Sequence, residues 1–326
     1  MPGLRRTSTR LSSRVSPYNS GVTLYKVEED ATRPPATPRR QTRVKIELEE
    51  VQAEPFPSLS PDAPEKSSEE PTKSLSRKSS SPKKVTPHKK ALETPHPAPA
   101  RWREMYDAIK TMRSEIDAPV DTMGCQMAQR HETDPKVRLF ITLVSLILSP
   151  QTTDKVVDAA VITLRTALGG SVSLDAVLAA DPIVISDAIN KVGMWRAKTK
   201  YLKASAEKLR DDFDGDVPQT IEDLLTLPGV GPKVGFLVLQ SAWNINDGIG
   251  VDVHVHRITG LLGWHNAKTP EDARISLESW LPKELHREIN PLLVGFGQEI
   301  CKKKPLCGKC TLATSKLCPS AKLPKW

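Results

Sequence analysis

The sequence predicts an all-α body of roughly 220 residues behind a disordered N-terminal tail of about a hundred. Three observations carry this. First, 15 of the 28 Pro fall in residues 1–99, a stretch with no Trp, and overall hydrophobic content is only 38%. Second, from Ala100 onward, where all six Trp lie, apolar residues recur with a 3.6-residue rhythm. Third, no block with period-two alternation intervenes except the short Val251–Val255 run.

In the tail the first acid is Glu28, and Arg5, Arg6, Arg10 and Arg14 precede it among Ser and Thr. That composition suits a mitochondrial transit peptide or a plain basic tail. Arg39-Arg40, Arg43-Val44-Lys45, Arg77-Lys78, Lys83-Lys84 and Lys89-Lys90 fit nuclear import. Nucleus and mitochondrion are therefore both expected locations. Ser60-Pro61, Ser81-Pro82, Thr86-Pro87 and Thr94-Pro95 are candidate phosphorylation sites. The tail reads as targeting or regulatory, without catalytic groups.

Net charge is +8, unevenly placed. Residues 1–99 hold 18 Lys and Arg against 12 Asp and Glu; residues 296–326 hold seven Lys and one Glu; the middle is slightly acidic. Nucleic-acid contact would therefore use local patches. No apolar run is long enough to span a membrane: Leu139–Leu148 is short and broken by Thr142 and Ser145.

Through the body, Val137–Leu148 reads as a largely buried helix stopping at Pro150. Val156–Leu168, Leu174–Ile189 and Lys198–Phe213 each repeat the helical rhythm. Next come Thr220–Thr226, the tight Leu227-Pro228-Gly229-Val230-Gly231 turn, and an apolar helix from Pro232 to about Trp243. Two alternating Gly permit a sharp turn and bare amides beside a helix N-terminus, where a phosphate is favoured. A simple helix–helix turn also favours Gly. Lys233 falls in the first helical turn, where the dipole disfavours a cation. That position is poor for a surface Lys and good for an amine that must react uncharged.

Four stretches resemble the endonuclease III family of DNA glycosylases, from about Ala118 to Ser320. They are Leu148–Asp154 (LSPQTTD), Val192–Lys198 (VGMWRAK), Leu227–Lys233 (LPGVGPK) and Val251–Arg257 (VDVHVHR), in family order. The resemblance implies that Lys233 is the nucleophile and Asp252 its partner. Asp252, just before a predicted helix, also suits an N-cap. It further implies that Gln151 and Met194 approach a flipped-out lesion, and that Gly229, Val230 and Gly231 meet the DNA backbone. A loop polar residue and a core Met are the plain readings of Gln151 and Met194.

Cys301, Cys307, Cys310 and Cys318 lie within eighteen residues; the fifth, Cys125, suits a small buried hydrophobe. Without a secretory signal, disulfides are not expected. Four thiolates fit either a zinc site or a [4Fe-4S] cluster, and the resemblance implies the cluster. The spacing C-x5-C-x2-C-x7-C departs from the family's C-x6-C-x2-C-x5-C. Lys302, Lys303 and Lys304 beside the first ligand are candidate phosphate contacts.

The resemblance implies two helical domains around a DNA cleft. Residues 139–251 would form a six-helix barrel with the helix-hairpin-helix. Residues 100–138 and 252–320 would form a discontinuous cluster-bearing domain, with 321–326 a C-terminal tail. The implied activity is a bifunctional glycosylase and abasic-site lyase acting on oxidised pyrimidines in duplex DNA, as a monomer, with other base excision repair proteins as further partners. An adenine mismatch enzyme fits less well. It needs a Glu where Leu146 stands, and it lacks the hairpin Lys. A non-catalytic helix-hairpin-helix protein would not need both Lys233 and Asp252.

Overall fold

Nine consecutive residues, Phe140 to Leu148, are buried, which is what a helix apolar on every face requires. This helix, Pro135–Leu148 (α3), runs through the larger of the apolar cores. The structure, a computed structural model, describes residues 11–16, 19–27, 92 and 94–323. The basic pairs between Arg39 and Lys90 and the Ser-Pro or Thr-Pro steps at Ser60, Ser81 and Thr86 lie outside them. So do Arg5, Arg6 and Arg10.

Leu11–Ser16 (β1) and Asn19–Val27 (β2) form an antiparallel hairpin, Leu11 opposite Val27 and Val15 opposite Thr23. Val15, Val22, Thr23 and Tyr25 supply strand propensity that a count of Pro and charge does not register.

The body begins with α1 (Trp102–Ser114) and α2 (Pro119–Met123), then a 3-10 turn over Cys125–His131. Next come α3 (Pro135–Leu148), α4 (Asp154–Ala167), α5 (Leu174–Ala179), α6 (Pro182–Ala188) and α7 (Trp195–Asp212). The hairpin pair is α8 (Ile221–Leu224) and α9 (Pro232–Ala242). Then follow α10 (Val253–Leu261), α11 (Pro270–Glu278), α12 (Ile289–Glu299) and α13 (Thr311–Thr314). No helix is long and apolar enough to cross a membrane among the described residues.

Local chemistry sets these boundaries. Asp134 caps α3 through Lys136 N and Val137 N, with Pro135 at the first helical position. The segment 174–189, expected as one helix, is two. Ala180 is extended, Asp181 accepts from Ile183 N at 2.7 Å, and Pro182 opens α6. A Pro can start a helix there but cannot continue one.

Two large apolar cores fill the body, beside a small cluster of Ala118, Val120 and Val294. One joins the Cys125 turn with α3 to α9, including Phe140, Leu164, Leu202 and Val238. The other joins α1 with α10 to α13, including Tyr106, Val255, Ile258, Leu293 and Phe296. Trp102, Tyr106, Trp264 and Trp280 pack edge-on or stacked within the second. The cores do not divide at 139 and 251. Cys125 and Ala128 join the first core, while Ile249 and Val251 join the second. The 3-10 turn tucks beneath α3, and Glu132 at its end pairs with Arg165 of α4 at 3.0 Å.

Candidate active site and cysteine pocket

Lys233 is the second residue of α9, from the first core, and Asp252 caps α10, from the second. The Lys233 Nζ donates to Ser149 Oγ at 2.8 Å. Ser149 Oγ in turn donates to the Leu146 carbonyl at 2.9 Å, so its lone pair faces the amine. The Asp252 carboxylate accepts from His254 N at 2.9 Å and Val255 N at 2.8 Å through Oδ1. Both capping bonds fall on Oδ1. The Val251–Val255 alternation is therefore a helix start, not a strand.

A second acid joins them. Asp154, first residue of α4, accepts from Gln298 Nε2 of α12 at 2.6 Å. Burial pushes its carboxyl above the ordinary carboxylate range. The Gln298 bond and the Lys233 charge oppose that shift, and the Asp252 charge adds to it. Asp154 thus feels both Lys233 and Asp252, which places all three groups in one field.

Gln151 and Met194 are neighbours with the same unusual backbone: φ is 57° and 58°, in the left-handed region. Gly193 makes this possible, since a Cβ there would lie 2.5 Å from the Gln151 carbonyl oxygen. Its N–H donates to Thr152 Oγ1 at 3.1 Å. Met194 is 53% exposed, so it is not a core Met, and Gln151 is exposed beside it. Held strain at two exposed neighbours is common where a surface must meet a ligand.

Lys198 ends the Val192–Lys198 stretch, where it had no assigned role. It is 3% exposed, in helical phase with Leu202, Ala206 and Leu209, so spacing alone marked it as a Lys on the buried stripe. Its Nζ donates to Leu148 O at 2.8 Å, Pro150 O at 2.6 Å and Thr152 Oγ1 at 3.2 Å. Burial, helped by the nearby Lys233, pulls its pKa down to about 8. Ser149 and Asp154 likewise stood in a motif without an assigned role. Cys125 is buried as expected, its thiol donating to Ser145 O at 3.6 Å, and burial raises its pKa.

In the hairpin, Gly229 has φ 82°, and a Cβ there would lie 2.8 Å from the Tyr201 ring. Gly231 caps α9 with no side-chain acceptor and open space around it. These backbone positions suit an anion. Val230 between them is set differently. Its side chain is buried in the first core, and its amide is already bonded to Leu227 O at 3.1 Å. A tight turn must anchor one apolar side chain, and Val230 is that anchor.

Cys301, Cys307, Cys310 and Cys318 all line one pocket, whose other walls include Ile258, Leu261, Phe296 and Leu312. Burial raises the pKa of Cys310 and Cys318, and the charges of Cys301 and Cys307 add to it. Arg257 of α10 ties in the first Cys, donating to Cys301 O at 2.5 Å and to its Sγ at 3.7 Å. The Lys322 N–H donates to Cys307 Sγ at 3.4 Å. Among the described residues no three His, Cys, Asp or Glu side chains gather at single-ion distance. Lys302, Lys303 and Lys304 are exposed on the adjoining loop, and Lys302 pairs with Glu299 at 3.6 Å.

The chain is similar to several known proteins. Residues 144–283 match the family described as "HhH-GPD superfamily base excision DNA repair protein". The "Endonuclease III homolog" of Schizosaccharomyces pombe is 50% identical over 225 residues, covering 68% of this chain and 63% of that protein. The present chain thus spans just under two thirds of that relative. The "Endonuclease III-like protein 1" of Gallus gallus is 43% identical over 235 residues, covering 71% of this chain and 82% of that one. The fold is similar to that in the structure of a non-covalent endonuclease III–DNA complex. The TM-score is 0.57 at 24% identity, over 67% of this chain and 94% of that chain. The chain belongs to the endonuclease III family, within the HhH-GPD superfamily of base excision DNA repair proteins.

Proposed function

We propose that the protein is a bifunctional DNA glycosylase and abasic-site lyase that removes oxidised pyrimidines from damaged duplex DNA. The observation that carries this reading is the Lys233 amine, held by Ser149 and in the same field as Asp154 and Asp252. A structural Lys on a helix N-terminus needs no such surroundings.

The chemistry follows from the groups present. The Lys233 nitrogen attacks the anomeric carbon as the bond to the damaged base breaks. The base leaves with the bonding pair and gains a proton. Asp252 stabilises the positive charge that develops on the sugar. The attached nitrogen gives up one proton, the C1′–O4′ bond breaks as O4′ takes a proton, and a protonated imine joins Lys233 to C1′. That imine acidifies the neighbouring C2′ proton; a base removes it, the 3′ phosphate leaves, and the strand is cut. Water then hydrolyses the imine and restores Lys233. Asp252 and Asp154 are the carboxylates placed to move these protons. Exposed Gln151 and Met194 suit the space left by an extruded nucleotide, and the Gly229–Gly231 backbone suits a phosphate.

The cysteine pocket fits a [4Fe-4S] cluster: it offers four sulfurs and a wall that is otherwise apolar except for Ser320. Cys301, Cys307, Cys310 and Cys318 would hold it, and bound iron would reverse the rise in thiol pKa. When bound, such a cluster would supply a rigid, electron-accepting knot beside the second core. Anaerobic purification giving colourless protein with bound zinc would overturn this assignment.

The proposed partner is damaged double-stranded DNA, with other base excision repair proteins beyond it. The proposed state is a monomer, located in nucleus and mitochondrion through the tail. The deciding experiment traps the imine with sodium borohydride on an abasic or thymine-glycol duplex. A covalent adduct with the wild type that vanishes in Lys233→Ala is expected. No adduct, or one unchanged in that variant, overturns the nucleophile.

A further inference from the structure

Lys198 is the buried cation that the chemistry above leaves without a task. Its three acceptors are not scattered. Leu148 O and Pro150 O flank Ser149 on either side, and Thr152 follows Gln151. Leu148 is the last residue of α3, whose terminal carbonyls lack partners within the helix. A buried Lys is costly unless its donors are met, and here all three have acceptors. Lys203, one turn and a half further along α7, makes a similar cap on Val177 O, Leu178 O and Ala180 O at the end of α5. The two lysines differ in what their caps hold. The α5 end carries no group of the site; the α3 end carries Ser149, which receives the Lys233 amine.

We propose that Lys198 is a positioning residue for the reaction: by clamping the carbonyls on both sides of Ser149, it aims the hydroxyl that holds Lys233. Its third bond extends the clamp to Thr152, which also receives the Gly193 N–H and so joins the Gln151 turn to the Met194 turn. One side chain thereby registers the nucleophile and the two lesion-facing residues on a single helix end. This inference rests on the lyase reading of Lys233.

The test uses the full chain, a duplex with one abasic site, and borohydride trapping under single-turnover conditions. Variants are Lys198→Met, Lys198→Gln, Lys203→Met, Ser149→Ala and Lys198→Met with Ser149→Ala. Lys198→Met is expected to bind the duplex within about threefold of wild type and to form adduct at least tenfold more slowly, roughly one aligned hydrogen bond in rate. Lys203→Met is expected to melt lower yet trap at the wild-type rate. Because Lys198 acts through Ser149, Ser149→Ala should slow Lys198→Met by less than about twofold further. If Lys198→Met does not fold, Lys198→Gln takes its place in the cycle; the amide keeps a donor on a shorter stem and should fall between. Losses that multiply in the double variant overturn the proposal. So does a wild-type rate in the folded Lys198 variant, or a loss matched by Lys203→Met. A wild type that forms no adduct instead removes the lyase reading itself, and with it this inference.

Discussion

Lys233 reaches back 84 positions in sequence to Ser149, its Nζ 2.8 Å from the hydroxyl oxygen. The Ser149 proton is committed to Leu146 O, so this contact orients the amine rather than competing for its lone pair. Ser149→Ala removes the acceptor and leaves the helix intact. The expected result is adduct formation slowed roughly tenfold, equivalent to about 1.4 kcal/mol, with little change in melting temperature. Single-turnover trapping and a thermal melt on the same preparation check both halves.

Asp252 does two jobs, and two substitutions separate them. Asn keeps an oxygen for His254 N and Val255 N but carries no charge. Ala removes both. Asp252→Asn should therefore melt near wild type while excision collapses. Asp252→Ala should lose activity and about 1 kcal/mol of stability as well. Urea denaturation beside a lesion-excision assay measures the pair.

Met194 holds φ at 58° with a flexible side chain in solvent. An L-residue there costs about 1–2 kcal/mol, and Gly avoids that cost at the expense of a more disordered unfolded chain. Met194→Gly is expected to match or exceed wild-type stability by up to about 1 kcal/mol. Base excision from a lesion duplex should nevertheless slow. A variant that is less stable, or fully active, contradicts the role given to this turn.

Asp154 predicts a pH signature. Burial raises its folded-state carboxyl above the unfolded value, so the ionised form is penalised at neutral pH. As pH falls, the folded state takes up the proton first and the wild type recovers that penalty. Asp154→Asn does not titrate and can still accept from Gln298. The variant should melt above wild type at pH 7, and the gap should narrow as pH drops into the carboxylate range. A gap that widens on acidification has the wrong sign.

The lysines beside Cys301 bear on DNA affinity. The side chains of Lys302, Lys303 and Lys304 are all exposed, and Lys302 alone of them is also paired with an acid, Glu299. Replacing all three with Ser should lower the slope of log K against log salt by about 2 rather than 3, taking about 0.9 per phosphate contact. An unchanged slope removes this loop from the interface.

The sequence alone determined what depends on local order. Helical periodicity and the Pro and Gly positions set most of the helices, and the hairpin turn fixed Lys233 in the first turn of α9. Asp252 was readable as a cap because capping needs only an acid before a helix. Four closely spaced Cys announced a common site, and they do share one pocket. Local order misled where one apolar rhythm ran across Pro182.

Only the tertiary structure decided which groups meet. Lys233 and Asp252 come from separate cores, and Ser149, Asp154 and Lys198 join them from α3, α4 and α7. Such meetings depend on how helices cross, which periodicity within one helix cannot encode. Burial made the same distinction among similar residues. Lys198 and Lys203 look alike in sequence, yet one clamps the end that carries Ser149 and the other an end outside the site. Val230 and Gly231 adjoin in the turn, yet one is core and the other open to an anion. A side chain's role here follows from what the packed helices leave within its reach.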